Sequence, residues 1–215
     1  MAILNYYTTD IITGKDAEFK LYNLNLSSKG LTQACLQGVL SRSNCTDYNT
    51  KGGAGFTQWD STVRALREIF CNHIWDKYEH GGLEGIVSNE QKIRIIPSSG
   101  NLATGNPNQP ASNKNPKGMN MIQLVERSLQ GSLFYGYPNQ TDDDKFKTYI
   151  LLYNSNKTEL KMELSEPTSI RKGKVVAWNE RIIIDSFKFD KEPINIPLID
   201  NNDTIDIPVL RKITS

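Results

Sequence analysis

The residues with the clearest capacity for chemistry lie in a polar stretch of 22 residues at positions 97–118, PSSGNLATGNPNQPASNKNPKG. The stretch holds five asparagines, four Ser or Thr hydroxyls and two lysines, and it contains no carboxylate. These side chains offer hydrogen-bond donors and positive charge, which suit an anionic ligand. The stretch has neither helical nor strand periodicity, and a connection of this length in a compact domain is usually either a functional loop or a disordered one.

The end of the stretch leads into a predicted helix at residues 119–130. Free amides and the dipole at the start of a helix favour an anion, so Asn115-Pro116-Lys117-Gly118 predicts a phosphate site at this junction. Basic residues from elsewhere in the chain would extend the site toward a nucleic-acid backbone, although no pair of flanking aromatics indicates base stacking. The predicted binding residues are Asn101, Asn113, Lys114, Asn115, Lys117 and Gly118, extended by Arg94, Arg127 and Arg171.

A purely structural interpretation of the stretch stays open, because Asn, Gly, Pro and Ser are also the residues of irregular surface connections. A shorter glycine-rich segment at residues 51–55, KGGAG, has the same two interpretations. Its amides and lysine could hold an anion in a backbone nest, or the segment could be a flexible linker.

The common nucleotide and acyl-transfer motifs are absent from the sequence. Gly100 and Gly105 have the spacing of a Walker A loop, but Asn106 follows where the motif needs lysine. Neither GxGxxG nor GxSxG occurs, so the sequence indicates no dinucleotide fingerprint and no serine hydrolase.

A metal-dependent nuclease is a further alternative, with the acidic residues 142–144 as metal ligands and Lys161, beside Glu159, to steady the phosphate. A hairpin turn at residues 154–157 would place residue 152 opposite Glu159 and separate the two groups of carboxylates by roughly 25 Å, too far to share a metal. The alternation of Glu159, Lys161 and Glu163 with apolar residues instead indicates a half-buried strand with a solvated charged face. We therefore predict no metal site and no cofactor.

Bulk composition narrows the class of protein. A formal net charge of +1 excludes a strongly polycationic nucleic-acid binder but permits a local basic patch. Three cysteines without a CxxC pair predict reduced thiols rather than a disulfide framework. The chain has no apolar run long enough to span a membrane, and its first residues lack the pattern of a secretory signal, so we expect a cytoplasmic protein with no membrane partner.

Periodicity predicts the elements that must position these residues. Helices are expected at residues 31–40, 61–78 and 119–130, the first of them capped by Ser27 or Ser28. Strands are expected at 3–8, 19–26, 85–87 and 92–96, and then as hairpins built from residues 132–137, 147–153, 158–164, 174–178 and 181–189, followed by two proline-bearing C-terminal edge strands.

These elements predict an α+β fold with three main helices in the first 130 residues and an antiparallel β-meander in the C-terminal part. Residues 1–215 are expected to form a single domain, with a helix-containing half at 1–131 and a β-rich half at 132–215.

The predicted function is a soluble intracellular phosphate- or nucleic-acid-binding protein that uses the long polar loop before a helix N-terminus. One alternative is a non-catalytic subunit or adaptor that docks a protein partner through the loop or the C-terminal edge strands. Another is an enzyme that acts on a nucleotide or sugar phosphate, for which the sequence singles out no general base.

Overall fold

A computed structural model describes residues 9–133 and 146–189 of the chain. The strands in these ranges are β1 (Asp10–Ile12), β2 (Asp76–His80), β3 (Leu83–Ser88), β4 (Ile93–Ser99), β5 (Lys147–Ser155), β6 (Glu159–Arg171) and β7 (Lys174–Lys188). The helices are α1 (Gly14–Asn23), α2 (Ser28–Ser43), α3 (Gly53–Phe70) and α4 (Met119–Leu133). The described chain is α+β, and none of its helices is long and apolar enough to cross a membrane.

The described strands form one mixed sheet of seven strands in the order β1-β7-β6-β5-β4-β3-β2. β5, β6 and β7 pair antiparallel in succession, but β4 pairs parallel with β5, and β1 pairs parallel with β7. The prediction of an antiparallel meander is therefore wrong. A parallel pair needs a crossover connection, and here the chain leaves β4 through the polar loop and α4 before it reaches β5.

Both faces of the sheet are buried, and β5 shows how the sequence achieves this. Tyr149, Leu151 and Tyr153 pack in the cluster that includes α1, α2 and α3, whereas Ile150 and Leu152 pack with α4 and part of the polar loop. Successive side chains of a strand point to opposite faces, so a continuous apolar run fits a strand that is covered on both sides. The sheet is thus the middle of three layers.

The first helix replaces a predicted strand. The sequence predicts a strand at residues 19–26, but this segment belongs to α1 and the turn after it. Ala17 and Leu21 lie four residues apart and are buried on one face of the helix, whereas Phe19 is exposed. The described chain therefore has four helices rather than three. The strand predicted at residues 3–8 lies outside the described residues.

Two helix predictions are confirmed. α2 covers residues 31–40, and the Ser27 hydroxyl caps it by accepting a hydrogen bond from the Gly30 amide at 3.1 Å. α4 begins at residue 119 as predicted, although it continues past Gly131, which the sequence indicates as its end. Glycine lowers helix propensity but does not by itself end a helix that is packed against a sheet.

The helix predicted at residues 61–78 is displaced toward the N-terminus, since α3 begins at Gly53 and ends at Phe70. The glycine-rich residues 51–55 were predicted as a nest or a linker, but residues 53–55 form the first turn of α3. A bridge between Cys71 and Trp75 then leads into β2. Apolar residues continue at helical spacing beyond Phe70, which is why the pattern alone extends the helix too far.

The hairpin predicted from residues 174–178 and 181–189 is wrong, because both segments belong to the single strand β7. The pairing of β7 with β6 is irregular around Pro167, where the register shifts on both sides of the proline. Proline has no amide hydrogen for the ladder, and the shifts accommodate it. The strand predicted at residues 132–137 begins inside α4 and otherwise lies outside the described residues, as do both C-terminal edge strands.

Candidate functional site

A pocket of about 500 Å³ lies where β4 and β5 end, and its lining includes the N-terminal end of α3 and the residues that lead into α4. This volume is within the range of small-molecule sites. Because β4 and β5 are parallel, their carboxyl ends meet at one edge of the sheet. α3 packs on one face of the sheet and α4 on the other. Ligand sites in sheets that contain parallel strands commonly form outside the carboxyl ends of those strands.

The ends of the two parallel strands give the pocket polar walls. Ser98 and Ser99 lie at the end of β4, and Asn154 and Ser155 lie at the end of β5. The Asn154 side-chain amide donates to the Gly100 carbonyl at 3.0 Å, which ties the start of the polar loop to β5. Hydroxyl and amide groups of this kind can hydrogen-bond a ligand in the pocket.

The polar loop, residues 97–118, folds against the sheet, and Asn101 shapes it. The Asn101 side-chain oxygen accepts hydrogen bonds from the amides of Ala103 and Ser112, each at 3.2 Å, and its nitrogen donates to the Pro110 carbonyl at 3.3 Å. These bonds close the loop on itself. The Asn101 side chain, a predicted binding residue, is therefore used within the loop, and it does not line the pocket.

Asn113, another predicted binding residue, is almost fully buried and joins the loop to the hairpin between β6 and β7. Its side-chain nitrogen donates to the carbonyls of Gly173 and Asn115, and its side-chain oxygen accepts from the Val175 amide at 2.9 Å. Its donors and its acceptor are thus engaged. Asn113 fixes the position of the pocket wall but does not line the pocket.

A buried ion pair lies under the middle of the loop. Arg181 Nη2 is 2.6 Å from Glu163 Oε2, and both side chains are almost inaccessible to solvent. The Gly105 amide donates to Glu163, and Arg181 donates to the carbonyls of Asn106 and Gln109. The prediction that Glu163 lies on a solvated charged face is therefore wrong. The loop covers this face of β6, which periodicity along the strand cannot reveal.

The last part of the loop is where the sequence prediction and the pocket coincide, since Lys114, Asn115, Lys117 and Gly118 all line the pocket. The Lys117 amide donates to the Gly173 carbonyl at 2.8 Å, which holds this segment against the β6–β7 hairpin. Burial of the Lys117 side chain lowers its pKa to about 8, because the charged form is poorly solvated there.

The charge around the pocket is predominantly positive. Arg42, from the end of α2, joins Lys114 and Lys117 in the lining. Glu84 is the one carboxylate that lines the pocket, and it lies 3.3 Å from Arg67 Nη2. In the described part of the chain, none of the three lining cations has a carboxylate within ion-pair distance. The pocket therefore has uncompensated positive charge that can attract an anion.

The start of α3 forms the opposite side of the pocket, and sequence analysis does not identify it as part of the site. Gly52, Gly55, Phe56 and Trp59 all line the pocket. The rings of Phe56 and Trp59 are 5.7 Å apart between centroids and tilted by 47°. The signal in the sequence is the three-residue spacing of these aromatics directly after the glycines, which fits the first turns of a helix.

Three predicted binding residues lie away from the pocket. Arg94 is buried near the start of β4, about 17 Å from the end of that strand at the usual rise per residue. Its guanidinium carbon is 5.5 Å from the centre of the Tyr78 ring and 4.9 Å from that of Phe146. Arg127 lies about 12 Å along α4 from the start of the helix, and Arg171 is exposed at the end of β6. Neither residue lines the pocket.

The register of β5 and β6 differs from the pairing predicted for the nuclease alternative. Leu152 is paired with Glu163, not with Glu159, because the turn lies at residues 156–158. Glu159 is 2.9 Å from Lys161 in an ion pair. The acidic residues 142–144 lie outside the described residues.

The chemistry that the pocket offers is recognition of an anion by cations, amides and hydroxyls. Its lining contains no histidine and no cysteine. Among the described residues, no group of three or more His, Cys, Asp or Glu side chains could hold a metal ion. Tyr153 is among the lining residues but is almost fully buried, and this burial raises the pKa of its hydroxyl, so the group stays protonated at neutral pH.

The chain matches no protein-family model, and no curated protein or solved structure is significantly similar to it.

Proposed function

We propose that this protein binds the phosphate group of a ligand in the pocket at the ends of β4 and β5. The observation that carries this proposal is the convergence of Arg42, Lys114 and Lys117 on a cavity whose one acidic side chain, Glu84, is already paired with Arg67. Cations without acidic partners in a concave site concentrate anionic ligands. A phosphate group also accepts several hydrogen bonds at once, which the amides and hydroxyls of the strand ends can donate.

The backbone at the pocket supports the same class of ligand. The positive ends of the α3 and α4 dipoles attract negative charge. Of the first amides of these helices, those of Gly53, Phe56 and Met121 donate to the preceding carbonyls of Thr50, Gly52 and Gly118, and the other early amides have no acceptor within their helices. Gly52, Gly55 and Gly118 leave the backbone uncovered, because a Cβ at any of them would meet nothing within 4 Å. An anion can therefore approach these amides closely.

The distribution of cations limits the size of the anion. Arg94, Arg127 and Arg171 do not line the pocket, so the charge forms a compact group and not a long groove. A compact group of three cations suits one or two phosphate groups better than an extended nucleic-acid backbone. The ligand is therefore a phosphorylated small molecule or the phosphorylated end of a nucleic-acid strand.

Isothermal titration calorimetry with pyrophosphate and ribose 5-phosphate tests this proposal. We expect the double variant Lys114→Gln/Lys117→Gln to bind both probes at least about tenfold more weakly, since a hydrogen bond to a charged group contributes about 1.5–3 kcal/mol. The dependence of affinity on salt concentration should also become shallower, because fewer ions are exchanged on binding.

The matched control is the double variant Lys15→Gln/Lys29→Gln. These lysines are exposed on α1 and α2, they do not line the pocket, and their replacement changes the net charge by the same amount. The control should bind like the unmodified protein. Unchanged affinity and salt dependence in the Lys114/Lys117 variant would contradict the proposal.

The two other function classes remain predictions. An adaptor needs a docking surface, and the C-terminal edge strands predicted for that role lie outside the described residues. An enzyme needs a general base, and the one carboxylate of the pocket lining is engaged by Arg67.

A further inference from the structure

The mouth of the pocket has an aromatic pair that phosphate binding leaves unexplained. Phe56 and Trp59 lie one turn apart on α3, and both line the pocket. The Phe56 side chain is 63% exposed, although burial of an aromatic ring is favourable. An exposed ring beside a group of cations is available to a ligand that has both a planar face and a negative charge.

Trp59 differs from the other tryptophans of the chain in its access to the pocket. Trp75 and Trp178 are buried, and the indole nitrogen of each donates to a backbone carbonyl, that of Asn25 or Ala111. Trp59 is only partly buried. A ligand in the pocket can therefore contact the ring of Trp59 without disturbing the core.

A free amide side chain completes the set of groups that a planar heterocycle would need. Asn115 lines the pocket and is exposed, and only its backbone carbonyl is used, as an acceptor for Asn113. In the described part of the chain its side-chain amide has no hydrogen-bond partner. Asparagine presents one donor and one acceptor side by side, which match the edge of a nucleobase.

We propose that the ligand carries a nucleobase, which stacks on Phe56 and Trp59 while its phosphate contacts Lys114 and Lys117. This inference rests on the proposed phosphate site and adds the chemical class of the ligand. Stacking on aromatic rings discriminates a nucleotide from a plain sugar phosphate, because the sugar phosphate has no planar π face. The pocket volume of about 500 Å³ is sufficient for a ligand of mononucleotide size.

The test compares AMP with ribose 5-phosphate, which has the same phosphate and sugar but no base. We expect AMP to bind about tenfold more tightly, in keeping with the contribution of one stacked base. AMP should also quench the fluorescence of Trp59, and the quenching should be absent in the variant Trp59→Phe. Equal affinity for the two probes would overturn the nucleobase inference and leave the phosphate site intact.

Two phenylalanine variants separate stacking from a general loss of apolar surface. Phe56→Ala should remove the preference for AMP and leave the affinity for ribose 5-phosphate unchanged. Phe19→Ala is the matched control, because Phe19 is 68% exposed on α1 and does not line the pocket. Both residues are exposed, so both variants should fold. A preference for AMP that survives Phe56→Ala would overturn the inference.

A different result identifies failure of the phosphate site itself. If adenosine binds as tightly as AMP, and the Lys114→Gln/Lys117→Gln variant binds AMP normally, the phosphate proposal is wrong. If both the phosphate and the nucleobase are recognised, a comparison of AMP with a short single-stranded oligonucleotide that has a 5′-phosphate distinguishes the source of the base. Tighter binding of the oligonucleotide, with a steeper dependence on salt, indicates a strand end, whereas tighter binding of AMP indicates a free nucleotide.

Discussion

The Glu163 carboxylate and the Arg181 guanidinium form a buried ion pair directly beneath the polar loop, with Arg181 Nη2 2.6 Å from Glu163 Oε2. Each member also binds the loop: Glu163 accepts from the Gly105 amide, and Arg181 donates to the carbonyls of Asn106 and Gln109. The pair therefore fixes the middle of the same loop whose last residues line the pocket. Stability of the sheet and geometry of the site are linked through it.

Replacement of one member of this pair should be strongly destabilising. Glu163→Gln leaves the Arg181 guanidinium buried without a counter-charge, and we expect a loss of about 3–5 kcal/mol in the free energy of unfolding. Urea denaturation measures this loss. Glu68→Gln is the control, because Glu68 pairs with Arg64 on the exposed surface of α3, and its replacement should cost less than about 0.5 kcal/mol.

The double variant Glu163→Leu/Arg181→Met removes both buried charges. It should be more stable than Glu163→Gln, since no unpaired charge remains in the interior. If both variants unfold at the same urea concentration as the unmodified protein, the pair does not anchor the loop.

Asn113 should contribute to stability through three hydrogen bonds. Asn113→Ala leaves the Val175 amide and the Gly173 carbonyl buried without this partner, and we expect the free energy of unfolding to fall by about 2–4 kcal/mol. Denaturant unfolding of Asn108→Ala gives the comparison, because Asn108 is exposed in the same loop. Equal stability of the two variants would show that the loop does not depend on Asn113.

Close packing of α2 against α3 makes Gly38 sensitive to substitution. A Cβ at this position would overlap the Thr62 hydroxyl and lie 2.5 Å from the Gln58 carbonyl oxygen. Gly38→Ala should therefore destabilise the protein by about 1–3 kcal/mol, although alanine is the better helix former. Thermal unfolding of both variants measures the difference. Gly55→Ala is the control and should be neutral or stabilising, because a Cβ at this position meets nothing within 4 Å. A gain in stability for both variants would contradict the packing argument.

The affinity for phosphate ligands should depend on pH through Lys117. Its lowered pKa of about 8 means that the amine of the free protein loses its proton as the pH rises through that value. A bound phosphate favours the charged amine, so binding takes up a proton, and affinity should fall above about pH 8 by up to about tenfold per unit. The ligand stays fully ionised in this range, since the second pKa of a phosphate monoester is about 6.

Calorimetric titrations of ribose 5-phosphate between pH 7.5 and 9.5 measure this dependence. Lys117→Gln should bind more weakly at pH 7.5 and lose most of the decline with pH, because it has no amine to titrate at this position. A decline of the same slope in Lys117→Gln would assign the pH dependence to another group.

The local sequence pattern was sufficient to predict the helices and strands whose periodicity of apolar residues is uninterrupted. α2 and α4 follow from apolar residues at helical spacing, with a serine cap for the first of them, and the strand pair β3 and β4 follows from short β-branched runs. The segment from Lys114 to Gly118 was predictable as part of a site because a helix start, two lysines and a glycine occur together in sequence. α1 was not predictable in the same way, since its apolar residues also fit an irregular alternation.

The opposite side of the pocket could not be predicted, because it depends on contacts between distant segments. Phe56 and Lys117 are 61 residues apart in sequence. They line one cavity because α3 packs on one face of the sheet and α4 on the other, and the pocket lies between them at the ends of the parallel strands β4 and β5. Strand direction is set by the crossover and by packing on both faces of the sheet, and neither is visible in the periodicity of one strand.

The sequence by itself determined the α+β class, the residue at which α4 begins and the cationic segment that precedes this helix. The tertiary structure decided which polar residues remain available to a ligand. Several polar side chains that could bind a ligand instead make contacts within the fold, namely those of Asn101, Asn113, Arg94 and Glu163. Buried polar groups must find partners, and those partners come from segments that only the folded chain brings together.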